Sequence, residues 1–325
     1  MMDNTLLLIG GGSGKNRLES MRTMKDIFGV LKGKMSVQKL YVDEHRMFWR
    51  MEDEVYRPIA LMANRLFPIM QDELIIGKTN EIGQEVENVW PLLIRNDDRG
   101  LGLMNYLEYA GFRLLSTNSD IAVLCENVDL RKMVFRDIDF DQEKTWVIDR
   151  EKWNKDFLAI EDKIGNEFKF PLEINYGNVK DKIVLWENVA NIFWRIFEEG
   201  YDVVKITGSN DIKYRLIVGF VGRKNFLPSR VVRQDEKGLL IDDVEKSLVR
   251  ELQNFVINFV KKYEVKDYGW WEINVYQTGW KVRNINFAPA MSRDSMFAKM
   301  WNLSGMTYEK MIEKIYSEAC ENNHE

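Results

Sequence analysis

Several short stretches of the sequence set chemically capable side chains at suggestive spacings. Ile9-Gly-Gly-Gly-Ser-Gly-Lys-Asn16 follows the apolar run TLLLI and precedes a plausible helix. That setting suggests a phosphate cradle, but a P-loop needs Gly, four residues, then Gly-Lys-Ser/Thr. Ile9 stands where the first Gly belongs, and Asn16 stands where the magnesium-binding hydroxyl belongs. The stretch fits a strand-to-helix turn better, with glycines allowing positive φ. It also fits a helix N-terminus that takes an anionic ligand group on its N–H donors. Further on, Lys213 and Arg215 are two residues apart on a strand, so they share a face. Arg230 and Arg233 follow, and a bidentate guanidinium suits carboxylate or phosphate. Glu272 stands between Trp271 and Ile273 on a strand, ahead of a turn at Thr278-Gly279.

Each of these has a plainer reading. Lys213, Arg215, Arg230 and Arg233 fit an ordinary solvated sheet face. Glu272 fits surface alternation on a strand. Trp270, Trp271 and Trp280 fit core or cross-strand packing better than base stacking. Met291, Met296 and Met300 fit core filling.

The chain that must position these residues has 325 residues, room for two or three domains. It is 45% apolar and 30% charged with both signs mixed, which makes it globular rather than disordered. A net charge of -5 does not favour broad nucleic-acid binding, so nucleic acid is not an expected partner. Cys125 and Cys320 are too few for a disulfide scaffold or a zinc site and fit a reducing cytosol. His45 and His324 leave little for histidine-centred catalysis. No apolar stretch approaches the ~20 residues of a membrane span. The run Leu6 to Ile9 is too short for a signal peptide, so a cytoplasmic location is expected.

Periodicity predicts an α/β first part. TLLLIG, SVQKLYV, RMFWRM, NVWPLLI (88–94) and FRLLST read as strands, with helices at 17–30 and at GLMNYLEYAG. Such alternation predicts a parallel sheet covered by helices. The middle is a small mixed unit: strands TWVID and FKFPLEINYG around a helix 150–163, then DKIVLW, a helix 187–199 and YDVVKI. The last part has strands DIKYRLIVGFVG and FLPSRVVR, a helix 241–263, the hairpin GWWEINVYQTGWKVRNINFA, and helices near 293–302 and 306–319.

RDSMFAKMWNLSGMTYEKMIEKIYSEA (293–319) resembles the end of D-alanine–D-alanine ligases. WEINVYQTGWKVRNINFAPAMS resembles their metal-binding hairpin, and GGGSGKN falls where they carry Gly-Gly-x-Ser-x-Glu-His. KLYVDEHRMFWRM and LGLMNYLEYAGFRLLST resemble elements of their first domain, and GSNDIKYRLIVGFVG a strand of the wider ATP-grasp superfamily. The resemblance runs over nearly the whole chain in the same order. It implies an α/β ATP-grasp fold with α+β subdomains: a Rossmann-like pre-ATP-grasp domain at 1–120, a small ATP-grasp subdomain at 121–205, and a C-terminal one at 206–325. It also implies ATP and Mg²⁺ as cofactors, a carboxylate and an amine (small molecules or peptides) as substrates, and a homodimer. In such enzymes ATP phosphorylates the carboxylate and the amine displaces the phosphate, giving an amide.

Against this pattern the sequence departs at key places. The first-loop Glu falls on Lys15 and its His on Asn16. RNDDRGLG, with Arg95, Asp97 and Asp98, replaces a His-Gly and Glu-Asp-Gly motif. The first ATP lysine falls near Val128, with Lys132 one turn on as substitute. The second falls on Glu173 or Ile174, with Lys169, Lys180 and Lys205 as nearby bases. Asp211 takes the acidic position near the ribose, and Lys213 and Arg215 follow it toward the nucleotide. Glu272 aligns with the first metal ligand, Asn284 with the bridging Glu, and Asn286 with the Asn. One carboxylate and two amides hold magnesium less well than two carboxylates and one amide. Two readings stay open: a diverged ligase with Arg230, Arg233 and Lys15 at a substrate site not built for D-alanine, or a degenerate ATP-grasp protein that binds nucleotide or a partner.

Overall fold

The computed structural model describes residues 5–12, 16–45, 47–52, 55–62, 65–68, 84–86, 88–93, 98–126, 128–140, 145–168, 170–176, 179–208, 212–235, 238–240 and 244–320. By its contacts the chain divides into two units. The first gathers 1–138, 215–273 and 284–325, and the second gathers 139–214 and 274–283.

In the first unit, β1 (Leu6–Gly11) is followed by α1 (Arg17–Leu31), β2 (Val37–Val42), β3 (Phe48–Glu52), β4 (Val55–Met62), β5 (Arg65–Pro68), β6 (Gln84–Glu85), β7 (Asn88–Pro91), α2 (Asp98–Tyr109), β8 (Arg113–Leu114), α3 (Ser119–Glu126) and α4 (Val128–Val134). The strands form one sheet in the order β6-β5-β4-β3-β2-β1-β7-β8. The parallel half, β2-β1-β7-β8, matches the expected strand-helix alternation. The other half is an antiparallel meander, β2 to β6, of which the sequence predicts β2 and one short strand after it. β1 is buried at every position, as a central parallel strand covered on both faces must be. α1 buries Ser20, Thr23, Met24, Ile27, Val30 and Leu31, a stripe at helical spacing. Gly11, at φ 117, ends β1 against Val42, whose carbonyl oxygen a Cβ would overlap.

The second unit holds β9 (Thr145–Asp149), α5 (Arg150–Lys155), α6 (Phe157–Glu167), β10 (Leu172–Tyr176), β11 (Val179–Ile183), α7 (Val189–Glu198) and β12 (Val203–Gly208). Its antiparallel sheet has the order β11-β10-β12-β9. One face packs Ile148, Leu172, Ile174, Val204 and Ile206 against Trp153, Ile164, Phe193 and Ile196 from the helices. The single helix expected over 150–163 is two. Asp156 takes φ -156, ψ 63, outside the helical region, and its side chain accepts from Ala159 N, so it caps a new helix.

The remaining elements are β13 (Tyr214–Gly222), β14 (Leu227–Pro228), β15 (Val232–Asp235), β16 (Gly238–Leu240), α8 (Lys246–Lys262), β17 (Asp267–Tyr276), β18 (Gly279–Asn286), α9 (Met296–Leu303) and α10 (Tyr308–Cys320). Their sheet runs β16-β15-β13-β17-β18, with β14 paired to β13. The one strand expected over FLPSRVVR is broken at Ser229. Its N–H still donates to Gly219 O at 2.8 Å, but Gly219 N donates to its Oγ at 2.8 Å in place of a backbone carbonyl, and Oγ donates to Arg230 O at 2.8 Å, so the ladder is interrupted here. The described residues thus form three sheets. The first and third nonetheless share one core: Leu6, Leu8, Trp90 and Leu115 pack with Ile217, Val221, Tyr268, Trp270, Trp301 and Ile312.

Candidate functional site

The two faces of the β13–β18 sheet have different partners. Ile217, Val221, Val232, Tyr268 and Trp270 join the core that includes α1, α9 and α10. Phe220, Trp271 and Phe287 turn the other way and meet Phe259 of α8. Side chains alternate along a strand. Glu272 therefore falls on the Tyr268–Trp270 face, and Arg215 falls on the Ile217 face, which is the same one. Counting back from Phe287, Asn286 and Asn284 fall there too. Cross-strand register adds Gln234, the partner of Arg215. Four adjacent strands thus present Gln234, Arg215, Glu272 and the Asn284/Asn286 pair on one face. Glu272 is only 9% exposed.

The sheet separates other residues that the sequence groups together. Arg233 pairs with Leu216, one residue out of step with Arg215, so it lies on the opposite face. Arg230 is exposed between β14 and β15, where its N–H donates to Ser304 Oγ at 2.8 Å. Lys213 is exposed in the second unit; its N–H donates to Val275 O at 2.8 Å, and its ammonium lies 5.8 Å from the Tyr214 ring centroid. Lys132 is half-buried on α4. Lys15, Lys169, Asp211, Arg95 and Asp97 lie outside the described residues. Trp270, Trp271, Met291 and Met300 are buried in packing, as their plainer readings have it.

One residue absent from the sequence expectations enters here. Arg131, one position before Lys132, is 4% exposed. Its Nη1 lies 3.4 Å from Cys125 O and 3.4 Å from Asn284 Oδ1. Leu130, Met133 and Val134 on the same helix are exposed, so α4 turns apolar side chains out and its arginine in. Apolar periodicity points the other way, which is why the sequence gives no signal for it. Asn286 Oδ1, meanwhile, accepts from Ala288 N at 2.9 Å. Each of these amide oxygens already accepts one hydrogen bond, which makes the set a weaker one for divalent ions than two carboxylates and one amide. A guanidinium within about 6 Å of a divalent ion would repel it by on the order of 6 kcal/mol at an effective dielectric of 20. Among the described residues, no three His, Cys, Asp or Glu gather where they could hold a metal ion.

In the second unit, the face of the sheet opposite its apolar core carries Glu173, Lys182 and Lys205. Lys205 pairs with Asn175 and Val147, and Glu173 pairs with Lys182 and Thr207. Glu173, Lys182, Lys205 and Val147 are all exposed. Ile174, the other position aligned with a lysine, is fully buried. Lys182 is legible in VKDKI by alternation alone, once Ile183 is taken as core.

α1 holds the loops at one edge of the first unit. Gly11 N donates to Ser20 Oγ at 2.9 Å, and Ser20 Oγ donates to Leu92 O at 2.8 Å, tying the ends of β1 and β7. Ser292 Oγ donates to the Glu19 carboxylate, Met291 N to Thr23 Oγ1 at 3.3 Å, and Arg293 N to Asp26 Oδ2 at 2.9 Å. The segment after β18 is thereby pinned along α1.

No family model matches the chain. A D-alanine–D-alanine ligase of Bacillus cytotoxicus is 21% identical over 353 residues, covering 98% of this chain and 96% of that protein. The D-alanine–D-alanine ligase of Coxiella burnetii superposes with a TM-score of 0.72 at 14% identity, covering 98% of this chain and 94% of that one. The Bacillus anthracis enzyme, complexed with ATP, superposes with a TM-score of 0.61 at 14% identity, covering 98% and 97%. The mixed α/β architecture with its separate sheets is the ATP-grasp fold of these proteins. With the match running over 98% of its length, this chain has the fold of the D-alanine–D-alanine ligases and is similar to one of them, at low identity, from end to end.

Proposed function

We propose that the protein is a diverged ATP-grasp ligase that joins a carboxylate to an amine, with substrates other than D-alanine. One observation carries this reading: Arg215, Glu272, Asn284 and Asn286 share one sheet face, with Glu272 nearly buried. Burying a carboxylate in a sheet costs free energy, and such groups concentrate at functional sites. ATP would supply the phosphoryl group that activates the carboxylate. The Bacillus anthracis neighbour is complexed with ATP, and ATP with magnesium is the cofactor set of this reading. Lys205 and Lys182 offer charge to nucleotide phosphates on the open face of their own sheet. Lys15 falls in the sequence where the resembled family carries Glu, and that reversal of charge favours substrates other than D-alanine.

A second reading is favoured by the Arg131–Asn284 contact: a nucleotide-binding or partner-binding protein that has lost phosphoryl transfer. Thermal unfolding with ATP or ADP, with and without Mg²⁺, tests both. Nucleotide at ~100 times its dissociation constant adds ~2.7 kcal/mol to stability. No shift at millimolar nucleotide would sink the ligase reading. A shift that Glu272→Ala abolishes, with no ADP released across a panel of carboxylates and amines, would select the second reading.

A further inference from the structure

Arg131 is held in place from several sides. Phe135, one turn along, is fully buried, with its ring 5.0 Å from Phe259 and 4.5 Å from Tyr263. Just beyond α4, Asp137 accepts from Lys262 Nζ at 2.7 Å and Tyr263 Oη at 2.5 Å. With α4 fastened on α8 in this way, the guanidinium stays against the edge strand β18. A buried guanidinium persists only where acceptors repay its lost hydration, and Asn284 Oδ1 is one of them.

We propose that Arg131 is the resident cation of the β17–β18 hairpin, and that the hairpin binds no divalent metal ion through Asn284 and Asn286. The guanidinium competes for one lone pair of the Asn284 oxygen an ion would need and adds a fixed positive charge beside it. One lone pair of the Asn286 oxygen is already taken by Ala288 N. Any magnesium the protein works with then arrives on nucleotide phosphates rather than on this hairpin. The inference stands or falls whether or not the protein turns over ATP.

The probe is Mn²⁺ alone, titrated into the full-length chain without nucleotide and read by the electron paramagnetic resonance signal of free Mn²⁺. Wild type is expected to show, up to millimolar Mn²⁺, no site that Glu272→Gln removes. The double variant Arg131→Gln/Asn284→Asp removes the resident cation and restores a carboxylate. It is expected to gain one Mn²⁺ site at least roughly tenfold tighter than any in wild type, and adding Glu272→Gln should remove it. A wild-type site lost in Glu272→Gln or Asn284→Ala overturns the inference. So does a double variant with a native circular dichroism spectrum that binds no more Mn²⁺ than wild type. If the double variant does not fold, Asn284→Asp alone, with Arg131 present, is expected to bind none; a new site there overturns the inference as well.

Discussion

Arg223 and Asp267 meet side by side, with Nε 2.8 Å from Oδ1 and Nη2 2.6 Å from Oδ2. Asp267 is fully buried at the start of β17, and the same Nη2 donates to Leu114 O at 3.0 Å. The pair therefore joins the β13–β14 turn, β17 and the end of β8. Removing one partner of a buried ion pair costs ~3–5 kcal/mol, because the other charge is left uncompensated. Arg223→Met is expected to lose that much in denaturant unfolding. Asp267 sits at φ 67, a conformation Asn tolerates, so Arg223→Met/Asp267→Asn should recover most of the loss. A single variant within ~1 kcal/mol of wild type would mean the pair contributes little.

Glu318 makes stability depend on pH. Burial pushes its carboxyl up, but the ammonium of Lys314 and the backbone N–H groups of Asn225 and Lys224 outweigh that and hold it below its usual value. A carboxyl depressed on folding stabilises the native state above its unfolded pKa, and that contribution fades as pH falls through the folded value. Glu318→Gln is thus expected to lose ~1.5–3 kcal/mol at pH 7. Wild type and variant should converge as the solution is acidified below pH ~4. Equal gaps at both ends of a urea-unfolding pH series would count against this role.

Gly269 and Gly219 set how closely the sheet is packed. A Cβ on Gly269 would overlap the Phe287 ring, and one on Gly219 would overlap the Met300 side chain. Phe287 sits in a ring cluster with Phe220, Phe259 and Trp271, which leaves it little room to move. Met300 is flexible and can yield. Gly269→Ala should therefore cost ~1–3 kcal/mol by overpacking, and Gly219→Ala less. Melting temperatures of the two variants rank them, and the reverse order would refute the packing argument.

Lys205 and Lys182 should matter to nucleotide binding and hardly at all to folding, since both are exposed on the open face of their sheet. A lost charge-assisted contact is worth ~1.5–3 kcal/mol, or about 10- to 150-fold in affinity. Lys205→Ala and Lys182→Ala are expected to weaken ADP binding on that scale in calorimetry, with unfolding midpoints unchanged. Unaltered ADP affinity in both would move the phosphate site elsewhere.

The sequence by itself determined most elements and the residues that line one side of each. TLLLIG reads as a buried strand and is one; the parity of Arg215 and Ile217 is legible; the turn at Thr278-Gly279 joins β17 and β18 as expected. These are local periodicities, set by a chain that buries its apolar side chains at a spacing of two or 3.6 residues. Where a short side chain competes with the local pattern, the sequence misleads. Asp156 splits a helix and Ser229 breaks a strand, each by bonding to backbone.

Only the tertiary structure decided the site. Whether Arg233 joins Arg215 or faces away depends on cross-strand register, and a shift of one residue reverses the answer. Arg131 is the clearest case. Its helix pattern calls for Leu130, Met133 and Val134 inside, yet the arginine is inside, against an amide 153 positions away in sequence. Long-range pairing between α4 and an edge strand overrides local amphipathicity, because a buried guanidinium must be matched by acceptors wherever the fold supplies them. Which acceptors those are is a property of the folded chain, and no window of sequence contains both partners.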